Sequence, residues 1–171
     1  MNEVILSRSV LDAIARHGEL AYPEECCGFL VGSSTDGPNP GGRVVRATRP
    51  VENRVAADRA HRFVIPPEEL LRAQRELEGT PQEVLGFYHS HPDHPAVPSE
   101  FDREHAWPWY SYAVLSVSHG VAGELGVFEL DPEERRFRTV RWTPAQDAAS
   151  AEGRVTEGVI SATRPKGGSP W

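Results

Sequence analysis

The chain has 171 residues, enough for one ordinary domain, and a chain of that length buries enough surface to fold without a disulfide or a structural metal. Eighteen Lys and Arg against 25 Asp and Glu leave a formal charge of -7, which repels phosphate backbones and anionic lipid heads and argues against nucleic-acid and membrane-surface partners. Apolar residues at 39%, charged residues at 25%, and 15 Pro with 15 Gly describe a soluble, loop-rich globular domain.

In chain order, the opening MNEVILSRSV carries an acid and an arginine and lacks the apolar core of a signal peptide, and no later run approaches the ~18 apolar residues of a membrane span. The only cysteines, Cys26 and Cys27, are adjacent and cannot cross-link distant parts of a fold. The cytoplasm is therefore the expected location. Ser9 stands before Val10, Leu11, Ile14 and Ala15 at helical spacing, which predicts a first helix from a Ser9 cap to about Tyr22, ended by Pro23. Cys27 to Ser33 reads as a buried strand, followed by a mobile loop TDGPNPGG and a second strand near Arg43 to Thr48.

Phe63 to Ile65 predicts a brief strand, and Pro66 and Pro67 then open a helix, Glu68 to Glu78. Further strands are expected at Val84 to Ser90, Tyr110 to Val117, Glu124 to Leu130 and Phe137 to Trp142, with a short helix from Ser99 to Ala106. Beyond Trp142 the sequence turns small and polar without periodicity, so residues 1–142 are expected to form the domain and 143–171 an appended or disordered tail. Strands interleaved with helices favour an α/β sandwich around a mixed sheet.

The densest chemistry lies in the run from His89 to Asp102. Residues i and i+2 of a strand project from one face about 6 to 7 Å apart, so His89 and His91 can converge on one ion while Ser90 points away. Pro92 puts the pair at a strand end. Two imidazoles and a carboxylate leave the open fourth position of a catalytic zinc site. A lone His-x-His is a weak signal, however, and Ser99 with Asp102 is also an S-x-x-D capping box. The two readings of Asp102 compete for its carboxylate. Glu25, just before the first buried strand, is a candidate proton carrier by chemistry, although a solvated acid at a strand entry is the commoner reading of such a residue. His94 is either a spare ligand or an exposed loop histidine.

Taken together, Glu25 with Cys27-Gly28, then His89-Ser90-His91-Pro92, then Ser99 and Asp102, resemble the JAMM (MPN-plus) metallopeptidase signature. The segments PEECCGFLVG, RFVIPPEELLRA, VLGFYHSHP and SEFDREHAWPWYSYAVLSV resemble its compact bacterial and archaeal branch, from about Val4 to Trp142. The resemblance implies an MPN domain, related to the cytidine-deaminase-like α/β sandwich, and a zinc-dependent hydrolase acting on peptide or isopeptide bonds. It implies that His89, His91 and Asp102 bind one zinc ion, that Glu25 rather than Glu24 is the general base and acid, and that Ser99 helps stabilise the oxyanion. The long insertions by which some eukaryotic relatives grip ubiquitin are absent. The implied substrate is a small ubiquitin-like sulfur-carrier protein, cut after a terminal Gly-Gly to release cysteine or a short extension. The alternative is a non-catalytic, metal-containing MPN module that binds a ubiquitin-like partner.

Other classes lack their residues. H-E-x-x-H, G-x-S-x-G and a phosphate-binding G-x-x-x-x-G-K-[ST] are absent, and a zinc nucleobase deaminase needs H-x-E with P-C-x-x-C.

Overall fold

The computed structural model describes residues 3–35 and 41–146. The elements are β1 (Glu3–Ser7), α1 (Arg8–Ala21), β2 (Cys27–Thr35), β3 (Gly42–Val51), α2 (Pro67–Leu77), β4 (Glu83–Pro92), α3 (Glu100–His105), β5 (Ser111–Ser118), β6 (Val121–Leu130), β7 (Phe137–Thr139) and β8 (Arg141–Ala145). The strands form one mixed sheet in the order β7-β6-β5-β4-β2-β3-β1-β8. This is the expected α/β architecture with a mixed central sheet and flanking helices.

β7 and β8 occupy opposite edges of that sheet, yet only Val140 separates them in sequence. The sheet must therefore curl until its edges approach, and the Val140 amide, donating to the Val127 carbonyl at 2.8 Å, carries the β6–β7 ladder up to the point where the chain leaves for β8. The single strand expected from Phe137 to Trp142 is thus two strands, because the chain changes partner at the buried Val140. β8 continues to Ala145 alongside β1, so Thr143 to Ala145 lie within the sheet rather than in a tail. Residues 147–171, and residues 36–40 of the loop expected to be mobile, lie outside the described residues.

Helix α1 packs one face into the curl. Val10 and Ile14 join Val4, Leu6, Leu30, Val45, Leu115 and Val127 in one core, and a methyl group at Gly18 would meet Leu115 at 2.7 Å, so the glycine permits the close approach. The cap of α1 is Ser7, whose Oγ accepts the Val10 amide at 3.3 Å; Ser9, the expected cap, is already helical. β1 runs into this helix without a turn, which removes the loop signal that would have marked it. On the other face of the sheet, α2 buries Leu70, Ala73 and Leu77 against Phe29, Val31, Phe87 and Tyr112.

Central strand β4 is buried from Val84 to Pro92 and lies between β2 and β5. Antiparallel pairing with β2 sets Cys27 opposite His89, so the start of β2 and the end of β4 meet at one end of the sheet. Phe63 to Ile65, expected as a brief strand, belongs to no sheet and passes over that end. Among the described residues no helix is long and apolar enough to cross a membrane.

Candidate active site

His89 and His91 project from the same face of β4, as their spacing requires. Their Nε2 atoms lie 3.1 Å apart, and Asp102 Oδ2 lies 3.2 Å from the first and 3.3 Å from the second. All three side chains are buried. Four ligands at zinc bond lengths of about 2.0 to 2.1 Å stand roughly 3.3 Å from one another, so this triangle has the edge length of one face of a zinc tetrahedron. Among the described residues these are the three that can jointly hold a metal, with their ligand atoms all within 4.8 Å of one another.

The tautomer of His91 follows from its other nitrogen. Nδ1 faces the Pro95 carbonyl at 2.9 Å; a carbonyl only accepts, so Nδ1 carries the hydrogen and a neutral His91 turns its Nε2 lone pair toward the triangle. The His89 ring stacks on Phe63 with centroids 4.5 Å apart, and its Nδ1 is buried without a hydrogen-bond partner among the described residues.

Asp102 reaches the triangle from the first turn of α3. The same Oδ2 accepts the Ser99 amide at 2.6 Å, while Ser99 Oγ accepts the Asp102 amide at 3.1 Å, completing a capping box. The two readings of Asp102 therefore do not exclude each other: one oxygen caps the helix and faces both imidazoles. Burial pushes this carboxyl up, but the His89 charge and hydrogen bond, with the Ser99 amide, outweigh it and hold the group well below the carboxylate range. Ser99 caps through a lone pair, so its hydroxyl hydrogen is left to donate.

Glu25 lies two residues before β2, with Oε1 4.0 Å from His91 Nε2 and only 4% of the residue exposed. Burial, with the charges of Asp102 and Asp58 acting on it, pushes its carboxyl up to about 9. Glu24 faces solvent and Arg59, with 3.9 Å between them. The two adjacent acids thus have different surroundings, Glu25 inward and Glu24 outward. His94 is exposed on the loop after β4, its ring tilted against His61, and lies outside the metal-competent group. Burial pushes the Cys26 thiol up to about 11 and the Cys27 thiol higher, so neither is a nucleophile at neutral pH.

Sequence reasoning missed two features. Asn53 is buried behind Glu25 and bonded to its carbonyl, although nothing in its sequence context marks it apart from an ordinary loop residue. A groove of about 410 Å³ opens beside the triangle between Phe63, Ile65, Phe87, Phe101 and Trp107. Its aromatics were visible in the sequence, but they come from β4, from the segment before α2 and from around α3, and only the fold brings these together. A larger pocket of about 730 Å³ at the far end of β4, around Glu83 and Trp109, contains none of the triangle.

Comparison with known proteins places the chain in a family. The Prok-JAB family, prokaryotic homologs of the JAB domain, matches residues 7–152. The chain is 41% identical over 120 residues to a desampylase of Haloferax volcanii, a match spanning 64% of this chain and 81% of that protein. It is 33% identical over 109 residues to the tail tip assembly protein K of Escherichia phage N15, covering 61% of this chain and 39% of that protein. A desampylase of Pyrococcus furiosus is 36% identical over 85 residues, half of this chain and 54% of that one. The solution structure of a Desulfitobacterium hafniense protein superposes with a TM-score of 0.72 at 24% identity, over 85% of this chain and 95% of that one, and shares the fold. The chain belongs to the Prok-JAB family, the prokaryotic branch of the JAMM (MPN-plus) hydrolases.

Proposed function

We propose that this chain is a zinc-dependent peptidase or isopeptidase that cuts the bond after the C-terminal Gly-Gly of a small ubiquitin-like sulfur-carrier protein, releasing cysteine or a short extension. The observation that carries the reading is the convergence of His89, His91 and Asp102 within 4.8 Å, with the Glu25 carboxyl 4.0 Å from His91. Two desampylases among the relatives support a ubiquitin-like substrate. The two free, buried cysteines fit a reducing compartment such as the cytoplasm.

His89, His91 and Asp102 would hold the ion. When bound, zinc supplies Lewis acidity toward water and the scissile carbonyl, and a positive charge that opposes the upward push on Glu25. Glu25 takes a proton from the attacking water and gives it to the departing nitrogen; its burial keeps bulk water from competing for that proton. Ser99, fixed by the capping box, turns its free hydroxyl hydrogen toward the carbonyl oxygen as charge develops there.

The strands that carry the site, β2 and β4, are interior to the sheet and offer no free edge. The extended segment through Phe63 and Ile65 does. Val64 spends its amide and carbonyl on Asn53 and Arg54, whereas the main-chain groups of Phe63 and Ile65 alternate to the opposite side, where an extended carrier tail would pair with them. Glycines suit such a tail because a backbone without Cβ approaches buried ligands closely.

The test is incubation with Gly-Gly-ended carriers bearing cysteine, a peptide or a lysine-linked extension, with products weighed by mass spectrometry. Cleavage directly after Gly-Gly, abolished by chelator and restored by zinc, is expected. Binding without any cleavage in the presence of zinc would instead establish a non-catalytic binding module.

A further inference from the structure

The carboxyl group of Glu25 has no hydrogen bond to aim it. Oε2 is buried without a partner among the described residues, and Oε1 lies 4.0 Å from His91 Nε2, beyond hydrogen-bond reach. The position of this side chain is therefore inherited from its backbone. On one side the sheet holds it: the Cys26 amide donates to Ser90 Oγ at 2.8 Å, and the Cys26 carbonyl accepts the Ser90 amide at 3.1 Å. On the other side the anchors come from outside the sheet. The Glu25 amide donates to the Arg59 carbonyl at 2.8 Å, and the Glu25 carbonyl accepts from Asn53 Nδ2 at 3.3 Å.

Asn53 also organises the segment that bears Arg59. Nδ2 makes a second bond to the Arg62 carbonyl at 2.9 Å, and Oδ1 accepts the Val55 and Val64 amides, each at 3.1 Å. Both donors and both acceptor lone pairs of the side chain are thus used. The Arg54 amide closes the neck of the same loop on the Val64 carbonyl at 3.0 Å. From this neck the chain passes directly to Phe63, which stacks on His89, and to Ile65, which lines the groove.

We propose that Asn53 is a positioning residue for the reaction: it joins the Glu25 backbone to the loop carrying Arg59 and Phe63, so that the proton carrier, the His89 ring and the groove wall keep fixed relative places. The inference rests on the reading of Glu25 given above. No other side chain of this size supplies the same set of groups. Aspartate would turn a second acceptor toward two carbonyls, alanine would leave two carbonyls and two amides short of partners, and glutamine would carry the amide one methylene too far.

The test compares zinc-loaded Asn53→Ala and Asn53→Asp with Val10→Ala, a core change in α1 that lowers stability away from the site. Zinc per chain, melting temperature, kcat and KM are measured on each. Both Asn53 variants should retain stoichiometric zinc and lose about 10²-fold in kcat, the scale on which small misplacements of reacting groups act. Val10→Ala should melt early and keep its kcat. Should Asn53→Ala fail to fold, Val64→Pro removes a single hydrogen bond to Asn53 and should lower kcat or raise KM by about tenfold with zinc retained. Wild-type kcat and KM in the zinc-loaded variants, while Glu25→Gln remains inactive, would overturn the positioning role alone. Wild-type kcat in Glu25→Gln as well would overturn the reading of Glu25 on which it rests. Zinc lost in step with activity would also overturn the inference, since Asn53 would then maintain the metal ligands.

Discussion

Cys27 stands opposite His89 in the β2–β4 ladder, and this register places Glu25, two residues upstream, with its carboxyl 4.0 Å from His91. A slip of one residue would turn the imidazoles to the other face of the sheet and separate them from Glu25. The site is thus a consequence of strand pairing before it is a consequence of any loop.

His89→Ala should abolish both metal binding and activity, because on the proposed reading three protein ligands would hold the ion and leave the fourth position for water and substrate. Metal analysis after purification without added zinc is the check. Stoichiometric zinc and normal cleavage in that variant would show that the ion binds elsewhere.

Ser99→Ala separates capping from catalysis. Loss of the cap costs ~1 kcal/mol of stability, whereas loss of an oxyanion donor lowers turnover by about 10²-fold or more. The expected variant melts slightly earlier and turns over far more slowly. Early melting with unchanged turnover would reduce Ser99 to a helix cap.

Metal removal should expose a pH dependence set by Glu25. Its folded-state pKa is raised to about 9 from an ordinary 4.5, chiefly by burial, so its contribution to stability is fully present below about 4.5 and is lost as pH rises through 9. Glu25→Gln has no such titration. In chelator-treated protein the stability of Glu25→Gln relative to wild type should therefore climb between about pH 5 and pH 9, by at most ~1.4 kcal/mol per pH unit. Denaturant melts at several pH values would reveal it, and a constant offset between the two proteins would refute it.

The catalytic candidates were legible because their chemistry is local. His89 and His91 share a strand face by period, Ser99 and Asp102 share a helix turn, and Glu25 was singled out by the family resemblance, through its spacing to Gly28 in the buried strand. Features that depend on closure of the sheet were not legible. Phe137 to Trp142 looks like one strand because nothing near Val140 announces that the curled sheet changes the partner there. β1 was hidden by its direct junction with α1, which also shifted the cap from Ser9 to Ser7. Asn53 reaches Glu25 and Val64 through hydrogen bonds between segments far apart in sequence, and such bonds leave no periodic trace.

Substrate selectivity should follow the size of the last carrier residue. Replacing the terminal glycine by alanine and then valine should depress cleavage progressively, with at least about tenfold loss of kcat/KM, or ~1.4 kcal/mol, for valine. Competition assays on matched carriers would measure this. Equal rates for glycine, alanine and valine would indicate an unselective peptidase.

The most direct measurement is the turnover of a Gly-Gly-extended carrier by zinc-loaded Glu25→Gln, with Glu24→Gln beside it. The amide keeps the shape of the side chain but cannot carry a proton, and acid–base help is worth about 10²- to 10⁴-fold. The expected result is full zinc content in both variants, a loss of that size for Glu25→Gln and near-normal turnover for Glu24→Gln. Equal turnover in the two variants, with zinc bound in both, would contradict the assignment of Glu25 and with it the proposed mechanism.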